Sequence, residues 1–239
     1  HSSIFVQDEW QVIEPLMFVA GVGIDKQSAY GSEFSPRLYT VYQFNDNTIL
    51  KGGFGQGFRA PSLTELSSDY QVLAAGGRFW VEGNANLKAE QSNTYELGIE
   101  HHQSNSMASA KIFENQLENL VQAVCYTQCG TRGEERRNYQ NVDESRIRGL
   151  ELGLKHNFTK SLNMKLNYTY LDTKNLANGN PLEDRPKYNA NTAISWSPIA
   201  PVLLRWKSEY IGKQYVGSDG YAPSYNRHHF DLSFKFNKQ

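Results

Sequence analysis

No stretch of this chain approaches the ~18 to 20 consecutive apolar residues that a membrane-crossing helix needs, which excludes a helical membrane protein. Neither sign of charge is in excess. Lys and Arg total 24 against 25 Asp and Glu, a formal net charge of −1, and this gives nucleic-acid binding no electrostatic basis. Cysteine is scarce, with two in 239 residues. Sustained helical periodicity is missing, as are an initiating Met and a signal-like N-terminal segment, so the chain reads as a mature product or a fragment. Nucleotide motifs are absent as well. Gly53, Gly55 and Gly57 are spaced G-x-G-x-G, without the following helix of a dinucleotide fingerprint or the Gly-Lys-Ser/Thr of a P-loop.

What is abundant is aromatic side chain, 13% of residues including 14 Tyr and 12 Phe, against a polar mean hydropathy of −0.61. Strands that alternate an apolar and a polar side reconcile these two figures, because the two sides average out. Leu16, Phe18, Ala20, Val22 and Ile24 share one parity. So do Leu162, Met164, Leu166, Tyr168 and Tyr170, set against Asn163, Lys165, Asn167 and Thr169. Phe230, Leu232, Phe234 and Phe236 oppose Asp231, Ser233 and Lys235, and Tyr95, Leu97, Ile99 and Leu150, Leu152, Leu154 repeat the scheme.

About eleven strands result, at roughly 2–12, 15–25, 34–45, 47–59, 92–103, 106–117, 140–157, 161–172, 187–197, 201–213 and 226–237. Several are long enough to cross a bilayer at a tilt. Short turns at Ile13–Pro15, Asn45–Asn47, Gln103–Ser106, Phe158–Ser161 and Ser197–Pro201 alternate with longer segments at 25–35, 60–91, 117–140, 172–187 and 213–226. Brief turns on one rim and long loops on the other are the pattern of an outer-membrane barrel. Tyr42, Phe44, Tyr168, Tyr170, Trp196, Trp206 and Tyr210, near strand ends, suit interfacial girdles. The fold expected is all-β, an antiparallel transmembrane barrel, partial in this chain, with residues 1–239 as one barrel domain. An odd strand count fits a partial barrel, since bacterial single-chain barrels have even numbers.

Cys125 and Cys129 lie four residues apart and most simply form a small disulfide pinning a loop, in an oxidising compartment. A pair of surface thiols is the alternative; a metal site lacks further Cys or His nearby. The glycines at 53, 55 and 57 share one face of their strand, where missing side chains allow close approach to the wall or strand bending. Pro61 ends pairing as the chain leaves for its long loop.

Gly57-Phe58-Arg59-Ala60-Pro61-Ser62-Leu63-Thr64-Glu65-Leu66, the run from Gly83 to Glu100 and the run from Asn141 to Leu154 resemble the second half of TonB-dependent outer-membrane receptors, in the ferric-siderophore and colicin receptor group. The resemblance covers essentially the whole chain. It implies a barrel of about 22 strands filled by an N-terminal plug, to which this chain supplies about strands 10 to 20. The plug, the first strands and the last pair are then expected outside it, as is the TonB box through which TonB delivers energy. It further implies location in the bacterial outer membrane against lipid, import of a ferric siderophore rather than catalysis, and no cofactor. The loops of such receptors also serve bacteriocins and phages.

Haem receptors of this group resemble Phe-Arg-Ala-Pro, then a loop His, then Asn-Pro-Asn-Leu. Here Phe58-Arg59-Ala60-Pro61 and Asn84-Ala85-Asn86-Leu87 have no His between them, so haem is the lesser alternative. A ferric siderophore carries its own iron ligands and needs arginines and rings to cradle it, a catecholate type above all. The loops supply Tyr70, Arg78, Phe79 and Trp80, then Tyr126, Arg132, Arg136, Arg137 and Tyr139, with Arg59 either joining them or pairing with a lumen carboxylate or the plug. Glu134 and Glu135 offset part of the second cluster. An outer-membrane enzyme would draw on His101, His102, His228 and His229 with Asp219 and Asp231. No nucleophile elbow accompanies them, and they read as strand-end histidines. A plain porin or adhesin would share the barrel pattern without the family-like runs.

Overall fold

The computed structural model describes residues 2–27, 31–142, 144–217 and 220–234. The chain runs β1 (Ser2–Ile13), β2 (Leu16–Gln27), β3 (Gly31–Asn45), β4 (Thr48–Arg59), α1 (Leu63–Leu66), β5 (Gln71–Ala74), β6 (Phe79–Glu82), β7 (Glu90–Gln103) and β8 (Ser106–Glu118). It continues through β9 (Leu120–Thr127), β10 (Glu135–Val142), β11 (Ser145–Asn157), β12 (Leu162–Asn175), β13 (Tyr188–Trp196), β14 (Val202–Ile211), β15 (Gln214–Tyr215), β16 (Tyr221–Ala222) and β17 (Tyr225–Phe234). Eleven of these strands form one antiparallel meander in the order β1-β2-β3-β4-β7-β8-β11-β12-β13-β14-β17. This is a partial barrel wall. Two smaller sheets, β5-β6-β10-β9 and β15-β16, lie within its long connections.

Register turns the period-two pattern into two faces, because a side chain keeps its face across directly paired residues. Leu97, Ile112, Leu150, Tyr170 and Tyr188 are consecutive partners across β7, β8, β11, β12 and β13. One row further along, Ile99, Ala110, Leu152, Tyr168, Ala190 and Tyr210 do the same. Met164, Leu166, Trp196 and Trp206 share that apolar face. The opposite face carries Lys51, Lys111, Glu151, Thr169 and Asn189, and ion pairs cross it. The Lys111 ammonium lies 3.0 Å from Glu151 and 3.5 Å from Glu96, and Lys51 lies 2.7 Å from Glu100.

The short-turn rim is held by local polar side chains. Asn45 Oδ1 accepts the Asn47 N–H at 3.0 Å, and Thr159 Oγ1 accepts the N–H groups of Ser161 and Leu162 at 3.1 and 3.0 Å. Such side chains substitute for the missing ladder partner at a turn. After β4, β8, β12 and β14 the chain makes its long excursions, all from the other rim.

Three departures from the sequence expectation stand out. The connection expected at 25–35 is shorter, because β2 and β3 stay paired up to Gln27 and Gly31. The strand expected at 140–157 is two: β10 leaves the wall for the loop sheet and β11 begins at Ser145. The loops hold six short strands and one capped helix, where no structure was expected. Of the strand expected at 226–237, Tyr225–Phe234 is described, and residues 235–237 lie outside the described residues, as does Asp219.

Within the glycine stripe, Gly53 has a local explanation. A Cβ on Gly53 would overlap the ring of its register partner Tyr39 and approach the Leu38 carbonyl to 2.6 Å. Gly149 lies likewise beneath the ring of its partner Phe113. At both positions an aromatic ring folds across a neighbouring glycine, so the wall's own side chains occupy the space.

Candidate functional site

Among the described residues the buried apolar side chains are Val81, Leu87, Ala89 and Leu182, and all four lie in or at the foot of the long connections. The core of the molecule therefore sits under the loops, with the wall exposed on both faces. Glu90, 8% exposed, anchors that foot. Its two oxygens accept Arg59 Nη2 at 2.6 Å and Nε at 2.8 Å, and Oε1 also accepts the Val121 N–H at 2.7 Å. Arg59 reaches Glu65 as well, at 3.3 Å through each terminal nitrogen. Glu65 completes a capping box on α1: Ser62 Oγ accepts the Glu65 N–H at 3.2 Å, and Glu65 Oε2 accepts the Ser62 N–H at 2.6 Å. Arg59 thus ties the ends of β4 and β7 to α1. The Arg59 side chain, paired with these carboxylates, remains about half exposed.

Two asparagines staple the connections together. Asn84 Nδ2 donates to the Tyr139 carbonyl at 2.8 Å. Asn141 Nδ2 donates to the carbonyls of Lys88 and Asn119, at 3.0 and 2.6 Å, while its Oδ1 accepts the Lys88 N–H at 2.8 Å. The family-like runs hold Asn84, Leu87, Glu90 and Asn141, so they mark the loop foot.

Above the foot, the loop after β4 and the loop after β8 merge into one four-stranded sheet. β6 pairs in parallel with β10, setting Phe79 beside Glu135, Trp80 beside Arg136 and Val81 beside Arg137. Two clusters that are more than fifty residues apart in sequence become one surface. On one face, Trp80 and Arg136 are neighbours around Glu82. Glu82 Oε1 accepts Arg136 Nη1 at 2.7 Å and Gln71 Nε2 at 2.9 Å, and Oε2 accepts the Tyr126 hydroxyl at 2.7 Å. The Tyr126 bond, with help from Arg136 and Gln71, holds the Glu82 carboxyl below its ordinary range and pushes the Tyr126 phenol up. On the other face the Arg137 guanidinium lies 4.1 Å from the centre of the Phe79 ring and donates to Glu135 at 2.5 Å. Burial works to raise Glu135, but the Gly130 N–H at 2.8 Å and Arg137 outweigh it and the carboxyl titrates low.

Cys125 and Cys129 form a disulfide, Cα atoms 5.9 Å apart, that closes the turn after β9. Arg78 sits in the β5–β6 turn, and its carbonyl accepts the Gly133 N–H at 2.7 Å, joining the tips of the two loops. Arg132, between the disulfide and β10, is exposed. Tyr70 and Tyr139 lie near Arg59 and Glu65 at the foot, where burial and the nearby Tyr70 push the Tyr139 phenol up. Of the ten predicted binding residues, Phe79, Trp80, Tyr126, Arg136, Arg137 and Tyr139 stand on the loop sheet itself, Tyr139 toward its base, Arg78 and Arg132 in its turns, and Arg59 and Tyr70 at its base.

Sequence reasoning missed the acids that hold these arginines: Glu65, Glu82, Glu90 and, as a partner of Arg137, Glu135. Ser-x-x-Glu at Ser62–Glu65 is a readable capping signature; the other three pairings depend on strand neighbours that only the fold reveals. Among the described residues no group of three His, Cys, Asp or Glu side chains could hold a metal ion. Chemically, the surface offers planar cations beside rings, which suits a flat anionic ligand.

A family model described as TonB dependent receptor-like, beta-barrel matches residues 1–239. The iron-regulated outer membrane virulence protein of Vibrio cholerae serotype O1 is 32% identical over 238 residues, covering 92% of this chain and 36% of that protein. The ferrienterobactin receptor of Escherichia coli K12 is 27% identical over 222 residues, covering 89% of this chain and 30% of its own. A mutant ferric enterobactin receptor from Pseudomonas aeruginosa, solved in complex with enterobactin, superimposes with a TM-score of 0.80 at 24% identity. That match covers 99% of this chain and 38% of the solved one, and it is a likeness of fold. The chain spans about a third of the length of the curated relatives it matches. It belongs to the TonB-dependent receptor β-barrel family of the bacterial outer membrane.

Proposed function

We infer that residues 1–239 form part of the barrel wall and the extracellular ligand-binding loops of a receptor for TonB-energised uptake of a ferric siderophore of the catecholate type. The observation that carries this reading is the merging of two loops into one sheet, which gathers Trp80, Arg136, Tyr126, Phe79 and Arg137. A ferric catecholate is anionic and presents flat aromatic faces. Guanidinium groups and rings meet both features at once, and iron ligation by the protein is unnecessary. The names of the relatives, among them receptors for ferric enterobactin, support the same ligand class. Coupling to TonB then belongs to other parts of the whole receptor.

Arg132 and Trp80 are the residues of choice for a test, because among the described residues neither makes a side-chain hydrogen bond that holds the loop sheet together. The complete receptor carrying Arg132→Gln or Trp80→Ala is expected to bind an iron-loaded catecholate siderophore about tenfold more weakly than wild type, in line with loss of a charge-assisted or stacking contact. Iron-loaded hydroxamate and haem should bind weakly to all three proteins. A receptor that prefers haem or the hydroxamate, or whose catecholate affinity ignores both substitutions, refutes the assignment.

A further inference from the structure

One ionisable side chain interrupts the apolar outward face in mid-strand. On β1 the outward residues include Ile4, Val6, Asp8 and Trp10, and across β2 they meet Ile24, Val22, Ala20 and Phe18 in register. Ile4, Val6 and Trp10 are each more than half exposed, as befits a surface turned toward lipid. At about 3.3 Å per residue and a tilt of about 40°, the stretch from Asp8 to the turn at Glu14 and Pro15 puts its carboxylate roughly 15 Å above the short-turn rim, near the middle of an outward band about 25 Å tall. Charge at that depth is costly, and ionisable groups found there pair with one another.

The described wall offers Asp8 no counter-charge. Its register partner is Ala20, and that row continues through Leu38, Phe54 and Tyr95. No cation stands on the outward face of β2 within four residues of Ala20, or of β3 within four residues of Leu38. Among the described residues the carboxylate accepts one hydrogen bond, from the Glu9 N–H of its own strand at 2.9 Å. Bonded and non-bonded pairs alternate along an antiparallel ladder, and an N–H given to a side chain is one that points away from β2. β1 is the edge of the described sheet, paired with β2 alone. The Asp8 carboxylate therefore leans over that edge.

We propose that Asp8 is one half of an intramembrane ion pair whose other half is an outward-facing Lys or Arg on the strand that precedes β1 in the complete receptor. Once that strand's carbonyl takes the Glu9 N–H, the carboxylate exchanges its backbone donor for a side chain on the same strand. Directly opposite positions of an antiparallel pair lie about 5 Å apart at Cβ, well within reach of a long cationic side chain. The pair specifies register. A slip of one residue turns the cation to the lumen and leaves Asp8 alone in hydrocarbon.

The test uses the complete receptor in lipid vesicles and reads the rate at which heat-modifiable migration is lost in urea. Leucine suits hydrocarbon better than aspartate, so at an unpaired site Asp8→Leu slows the loss, whereas at a paired site it strands the cation and should speed the loss about tenfold or more. Asp8→Asn also removes the charge and should act in the same direction, while Asp8→Glu keeps it and should stay close to wild type. Replacing the facing Lys or Arg with methionine should speed the loss as Asp8→Leu does, and the two changes combined should restore most of the wild-type rate, because an apolar pair replaces an ionic one. Slower loss in Asp8→Leu, wild-type behaviour in Asp8→Asn, or a combined variant worse than either single one overturns the proposal. So does a preceding strand without an outward Lys or Arg within one register row of Asp8. If the single variants form no barrel, the combined variant decides: recovered folding supports the pair and continued failure overturns it. A wild-type oligomer that Asp8→Asn reduces to single receptors assigns the carboxylate to a second molecule and likewise overturns it.

Discussion

Leu97 in β7 and Val81 in β6 are both branched apolar residues in strands paired on both sides, yet 58% of the first is exposed and 5% of the second. Leu97 belongs to a wall whose outward face is apolar and whose other face carries ion pairs. Val81 belongs to a small sheet that buries its own core and satisfies its own charges. One chain thus contains two kinds of sheet, stabilised by different surroundings. The wall depends on a solvent of hydrocarbon for its outer face. The loop sheet is built for water and depends on hydrogen bonds within itself. The contrast predicts that the two regions fail separately, and substitutions can be chosen to show it.

The largest effect is expected in the wall. Leu152 faces outward at mid-strand between Ala110 and Tyr168. Leu152→Arg places a cation in the hydrocarbon, at a cost of about 2 to 4 kcal/mol near the bilayer midplane. Heat-modifiable migration and resistance to urea in lipid should both fall. The same substitution at Leu73, exposed on the loop sheet, should leave them unchanged. Equal losses at the two sites would show that the faces do not differ in solvent.

How much of this contrast is legible in the sequence follows from its physics. The wall is written locally, because alternation recurs within one strand and short turns occupy every second connection. Eleven strands and the outward face of Leu162, Met164 and Leu166 can be read directly. The loop sheet is written between distant segments. Phe79–Glu82 and Glu135–Val142 have no period-two signature long enough to announce a strand, and their parallel pairing links residues more than fifty positions apart. The aromatic and basic content of both loops is visible, whereas their union and the acids that hold them are not. Arg136 reads as a free cation until Glu82 is known to lie beside it. The family-like runs are legible as resemblance, but nothing in their residue types tells that Asn84, Glu90 and Asn141 are staples.

A middling effect is expected where the two regions meet. Glu90→Gln keeps the shape of the side chain but removes the charge that binds Arg59 and weakens the acceptor for the Val121 N–H. Loss of a charge-assisted bond to a half-exposed arginine costs about 1 to 3 kcal/mol. The expected outcome is a loop sheet that exchanges its amide hydrogens and is cut by protease faster, on a barrel that still migrates as folded. Loss of barrel migration would mean that the foot of the loops supports the wall, and the separation drawn above would be wrong.

The smallest effect is electrostatic and confined to the loop sheet. Glu82 titrates below its ordinary value of 4.5 because it accepts Tyr126, Arg136 and Gln71. A carboxylate whose folded value is depressed stabilises the fold fully above the unfolded value, and that contribution disappears as pH falls through the folded one. The loop sheet should therefore loosen below about pH 4.5, while the outward apolar rows of the wall, which do not titrate, hold. The partners are exposed enough for solvent to screen them, so the change stays below about 1 kcal/mol. Amide exchange in β6 and β10, followed from pH 6 to pH 3, reads it against the wall strands. In Glu82→Gln the acid-dependent component at β6 should vanish, because the amide keeps an acceptor but no longer titrates. If the variant loosens over the same pH range as wild type, another carboxylate governs the loop, and Glu135, held low by Gly130 and Arg137 on the opposite face, is the one the geometry offers.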